Sequence, residues 1–128
     1  MANATPPAYS QFNFLVDFGT ADGPHAGFQE FSHIDKITGL NKATDVTMKR
    51  GVILSSSLQD WLDDIRKKHK RAQRNVKVTL QDERNRAVQT WTLLGSVIVK
   101  HTGPSLNAKG NDVAIEELVL ACERIETN

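Results

Sequence analysis

Along the first third of the chain, apolar and polar residues alternate in short stretches. Phe12, Phe14, Val16 and Phe18 interleave with Asn13, Leu15 and Asp17, a period of two that predicts a strand with an aromatic face. Gly19 to Pro24 is rich in breakers and reads as a turn or loop. Ala26, Phe28 and Phe31 mark a second strand with less regular patterning, residues 36–42 around Gly39 read as a loop, and Thr44 to Val52 as a third strand. The period then changes. Leu58, Trp61, Leu62 and Ile65 fall at i, i+3, i+4 and i+7, the apolar stripe of a helix over residues 56–69. Ser56 with Gln59 matches a capping box. Asp60, Asp63 and Asp64 fall early in that helix, and Arg66, Lys67 and Lys68 late, so the charges complement its dipole. Asp63 with Lys67 and Asp64 with Lys68 are spaced for i,i+4 pairs.

Three longer strand patterns follow. Val76, Val78 and Leu80 alternate with polar residues, and residues 82–86 form a polar hairpin connection. Val88 to Lys100 is apolar on both parities, with Gly95 at its middle as a bulge or bend. In the last run, Asp112 to Ile125, Val113 and Ile115 share one parity and Leu118 and Leu120 the other. Alternation by two cannot produce that switch without a bulge or cover on both faces. Residues 1–10, with Pro6-Pro7, read as a flexible arm. The pattern as a whole is mainly β with one helix.

Composition narrows the function more than the fold. A chain of 128 residues fits one domain, 1–128, and can bury a real core. Lys plus Arg is 16 against 15 for Asp plus Glu, so net charge argues for no polyanionic partner. Cys122 is the one cysteine, which excludes an intrachain disulfide. The first residues lack a basic and an apolar region, and no run approaches the ~20 apolar residues that span a bilayer. The expectation is a chain made in the cytoplasm as a soluble protein, with no membrane insertion.

Catalytic patterns are missing. His25, His33, His69 and His101 show no metal-ligand spacing, and the chain has no phosphate-cradling glycine loop or nucleophile elbow. Adjacent carboxylates at Asp63-Asp64 and Glu116-Glu117 diverge on a helix or strand and make no acid/base pair. No enzyme, cofactor or metal site is expected; reviving one requires His101 to meet Cys122 in the fold. One charge run remains, Arg66 to Arg74, with no acid within it. It reads as a solvated helix end, as the phosphate-binding face of a small α+β nucleic-acid-binding module, or as a dock for an acidic protein surface.

A series of short motifs is more specific. Lys49-Arg50-Gly51 ends a strand before the helix that carries Trp61; Trp91 sits in a strand of branched residues; Gly103-Pro104-Ser105-Leu106-Asn107-Ala108 leads into Val113-Ala114-Ile115-Glu116. In this order, and with Phe12 to Val16 and Gly27 to Glu30, they resemble the tube subunits of contractile phage tails and contractile injection systems over nearly the whole chain. The segment before Lys36-Ile37-Thr38-Gly39-Leu40 is shorter than such subunits usually carry.

The resemblance implies an antiparallel β-barrel or sandwich-like subunit with a flanking helix. It implies six copies per ring, and rings stacked into a tube that a contracting sheath drives through a target envelope. The implied partners are further copies of the chain, the sheath, baseplate or hub and tube-terminating proteins, and a luminal cargo, with nucleic acid at most a passenger. Lys49, Arg50, Gly51, Trp61, Trp91, Gly103, Pro104, Leu106, Asn107 and Ala108 are the implied assembly residues. Residues 87–100 and 111–124 are expected to line the lumen. Arg66, Lys67, Lys68, Lys70 and Arg71 are the expected sheath-facing patch.

Overall fold

Seven strands and one helix follow one another in the order β1 (Phe14–Asp17), β2 (Ala26–Thr38), β3 (Asn41–Leu54), α1 (Ser55–Arg66), β4 (Arg74–Gln81), β5 (Ala87–Thr102), β6 (Asp112–Cys122) and β7 (Arg124–Thr127). The computed structural model describes residues 12–19, 23–38, 41–67, 72–103 and 112–127. Every pairing is antiparallel. The sheet order is β4-β1-β2-β3-β6-β5-β7, and a further β4–β5 pairing closes it on itself. β7 prolongs β6 along β5, since Val97↔Ala121 and Leu94↔Arg124 keep one register across Glu123. The result is a barrel of six strands around a single core, which abolishes most free edges.

Val16, Phe18, Phe28, Met48, Ile53, Val78, Leu93, Leu118 and Leu120 fill the interior with no exposed surface. The helix covers one end of the barrel. Leu58 and Trp61 are fully buried there, and the Trp61 ring lies 5.1 Å from that of Phe18. At the other end Phe14, Phe31 and Trp91 meet with ring centres 4.8–6.2 Å apart and stay half-buried.

The parity switch has a cause visible across three strands. β3 buries Val46 and Met48, then Gly51 and Ile53; β6 buries Val113 and Ile115, then Leu118 and Leu120. Both change face where Arg50 falls opposite Glu116, between the pairs Lys49↔Glu117 and Gly51↔Ile115. β2 changes there too, from Phe28 to Phe31. Because the partners shift together, the register is unbroken and the sheet bends as a unit. Arg50 takes a left-handed φ of 59° at the bend. A Cβ on Gly51 would run into the Gly27 carbonyl oxygen and the Phe28 ring, so only glycine fits. Gly95, with φ 64°, makes the expected bend in β5 opposite Glu123.

Several expectations need correction. Residues 36–42 are not a simple loop: β2 runs to Thr38 and β3 starts at Asn41, paired Thr38↔Asn41. The end of β2, residues 32–37, is exposed on both faces, so no buried stripe marked it. The helix begins at Ser55, one residue after β3 ends, with Leu54 as N-cap and no side-chain cap. Ser56 therefore lies within the helix and forms no capping box, and no acid occupies the first turn. The helix ends at Arg66 rather than residue 69, with Lys67 as its C-cap. Asp63 pairs with Arg66 at 3.3 Å rather than with Lys67, and Asp64 pairs with Arg74 at 3.1 Å; Lys68, the expected partner of Asp64, lies outside the described residues. The hairpin connection at 82–86 forms as read. The Arg86 and Arg84 backbone N–H groups donate to the Asp82 carboxylate, holding it below the usual carboxylate range.

Candidate functional site: a self-assembly surface

Four strands, β2-β3-β6-β5, form a continuous sheet longer than the rest of the barrel. Their registers align residues into rows, such as Ser32–Thr47–Val119–Lys100 and Glu30–Lys49–Glu117–Thr102. Opposed residues share a face, and these rows lie on the face turned away from the core. Charges on it are compensated locally: Lys36 with Asp45 at 2.6 Å, Arg50 with Glu30 at 3.3 Å, and Lys100 with Glu117 at 3.0 Å.

The two borders of this sheet are partly unpaired. β1 pairs with β2 only from Ala26 to Phe28, and β4 pairs with β5 only up to Ser96. Among the described residues, β2 beyond Phe28 and β5 beyond Ser96 therefore present backbone with no strand beside it on the outer border. Ile34 and Ile37 on the first border are 68% and 73% exposed, and Val99 on the second is 55% exposed. Such edges are templates for further strands. The sequence reading stopped the second strand at Phe31 and placed residues 36–42 in a loop, so the first border was not seen as an edge. The signal was the β-branched content of Ile34, Ile37 and Thr38.

The motif residues fall in different settings. Lys49, Arg50 and Gly51 sit at the bend of the sheet. Trp61 is buried and donates its indole N–H to the Ala72 carbonyl at 2.7 Å. Trp91 belongs to the aromatic end of the barrel. Gly103 follows β5 and packs against the Ala114–Ile115 backbone. Pro104, Leu106, Asn107 and Ala108 lie outside the described residues, as do Lys68, Lys70 and Arg71. Arg66 and Lys67 are exposed at the end of the helix, whereas Arg74 is drawn inward between Asp64 and the Trp61 ring.

The structure does not bring His101 and Cys122 together. His101 is exposed on β5 opposite Leu118, while Cys122 is buried and donates to the Thr44 carbonyl at 3.4 Å. Burial pushes the Cys122 thiol up to about 11, so it holds no thiolate at neutral pH. Among the described residues no cluster of three or more His, Cys, Asp or Glu residues could hold a metal ion, and no helix is long and apolar enough to cross a membrane.

The T4-like virus tail tube protein gp19 family model matches residues 25–126. Among solved structures, the fold is similar to a chain of an extracellular contractile injection system, the PVC sheath-tube complex in its extended state. The TM-score there is 0.53 at 19% identity, covering 99% of this chain and 93% of that one. It is likewise similar to a chain of the PVC sheath/tube terminator in the extended state, with TM-score 0.54, 20% identity and coverage of 100% and 99%. A chain of the anti-feeding prophage tube-terminating cap gives TM-score 0.54 at 17% identity, with coverage of 98% and 93%. No curated protein sequence matches.

Proposed function

The chain belongs to the T4-like virus tail tube protein family, and from that premise we propose that it forms the wall of a hollow tube in a contractile phage tail or contractile injection system. The observation that carries this reading is the pair of unpaired borders on one sheet. β2 and β5 run antiparallel to each other, and Ser32 and Lys100 lie in the same row. A copy rotated about a common axis can therefore lay its β5 border beside the β2 border of its neighbour. Such a head-to-tail contact closes into a ring when the rotation divides the circle, and joined edges remove the aggregation hazard of the free strand. Six copies close the ring and rings stack into the tube. Each subunit's own core lies on one face of the shared sheet, so the opposite face lines the lumen. Residues 87–100 and 111–124 contribute to that lining together with β2 and β3.

On the outside, α1 and the exposed Arg66 and Lys67 face the sheath, with Lys68, Lys70 and Arg71 extending the patch. Baseplate and tube-terminating proteins meet the two ends of the tube. The subunit is made in the cytoplasm, acts as a structural part with no catalysis, and works outside the cell as part of the assembled particle. A nucleic-acid-binding role for the basic run is disfavoured because Arg74 is turned inward onto Asp64 and the Trp61 ring. A tube-terminating role is the second reading, supported by the likeness to terminator and cap chains.

Negative-stain microscopy tests the proposal. Hollow rings that extend into filaments are expected; rings that never stack favour the terminator, and a monomer at every concentration refutes both. Within rings, Ser32→Cys with Lys100→Cys should oxidise into a ladder of covalently joined chains.

A further inference from the structure

Each free border of the sheet carries one exposed histidine. His33 lies on β2 opposite Val46, and His101 lies on β5 opposite Leu118. Val46 and Leu118 are fully buried, so both imidazoles stand on the core-side face of the sheet, beyond the last described pairs to β1 and β4. His101 reaches that face through a bulge. The register of β5 against β6 shifts between Ile98 and Lys100, and the extra residue, Val99, turns Lys100 outward and His101 inward. Within one chain the two histidines are at least three strand spacings apart, about 14 Å at ~4.8 Å each, too far to share one ion.

We propose that His33 of one copy and His101 of the next hold one divalent transition-metal ion across the joint between β2 and β5, an inference that rests on the ring reading above. Phe31 and His101 share a row, through the pairs Phe31↔Met48, Met48↔Leu118 and His101↔Leu118. Carrying that row around the ring sets the neighbour's His101 beside Phe31. His33 is the next residue along β2 on the same face. Diagonal neighbours across an antiparallel pair lie about 7–8 Å apart, within reach of long side chains. Imidazole suits zinc, copper and nickel, so two ring nitrogens can clasp such an ion while water completes its shell. The Phe31 ring, 6.0 Å from that of His33, walls one side of the site with apolar surface. Neither histidine can make the site alone, and the ion therefore ties one copy to the next.

The test is sedimentation of the full chain over a dilution series, with zinc or with EDTA at constant ionic strength. Zinc at about ten times its dissociation constant should strengthen each contact about tenfold, so that rings persist at lower protein concentration. EDTA should reverse the effect. His33→Gln and His101→Gln should each form rings in EDTA and lose the zinc response. Mixing the two variants should restore part of it, because the two borders that meet then come from different chains. A zinc response that survives both substitutions, or rings indifferent to zinc, overturns the metal site and leaves the ring standing. Loss of rings from either variant in EDTA also overturns it, since the histidines then serve the strand joint without metal. A chain that forms no ring with or without zinc overturns both readings.

Discussion

Arg74 and Trp61 are coupled: the guanidinium carbon lies 5.2 Å from the indole ring centre, while the same group binds Asp64 at 3.1 Å. The pair is mostly buried, with Arg74 15% and Asp64 24% exposed. It ties the start of β4 to the helix and removes one cation from the basic run. Replacing Arg74 by Ala leaves Asp64 short of its partner and bares the indole, which should cost about 2–3 kcal/mol in urea unfolding. Arg66→Glu with Lys67→Glu should change unfolding by no more than about 0.5 kcal/mol. The same double reversal should weaken sheath binding at low salt, and unchanged binding removes the docking role from the helix end.

Gly51 and Arg50 should respond in opposite directions. Gly51→Ala forces the bend apart, with an expected loss of about 3 kcal/mol or more, at the upper end of overpacking effects. Arg50→Gly relieves the left-handed residue and gives up only an exposed ion pair, for a gain of about 1 kcal/mol. Chemical denaturation of both variants is sufficient to check the signs.

The free border of β2 predicts a separation of folding from assembly. Ile34→Lys with Ile37→Lys adds charge at two side chains that are already 68% and 73% exposed. The melting temperature should stay within a few degrees, while the concentration needed for rings rises at least tenfold. Sedimentation of a dilution series measures it.

Cys122 gives a pH signature. Its folded thiol is raised to about 11 from an ordinary 9.0, chiefly by burial. The native state thus holds its proton where the unfolded chain has lost it. This contribution to stability is intact below about pH 9 and fades as pH rises towards 11. The loss should be absent in Cys122→Ala, which controls for other titrations. Maleimide labelling of native protein at pH 8 should be slow and should accelerate on unfolding.

The parts of the fold written as a single buried stripe were legible in advance: β1, the helix core and β4 all follow one period. The switch in β6 was legible as a problem, since Val113 and Leu118 cannot share a face of a regular strand. Its solution was not, because the bend depends on Arg50 and Gln29 yielding at the same row in two other strands. The helix start was misread because Ser56 fits a cap by type, whereas β3 delivers the chain straight into the helix at Leu54. The assembly border was the least visible feature. Ile34 and Ile37 face solvent on opposite sides, and a strand that is buried on neither face carries no alternation to detect.

Closure of the barrel by β4 against β5 has a genetic consequence. Each chain completes its interior alone, so damage to residues such as Leu118 or Trp61 is a private defect that extra expression cannot repair. Changes along the outer borders act instead through mass action, and a raised gene dose should restore them.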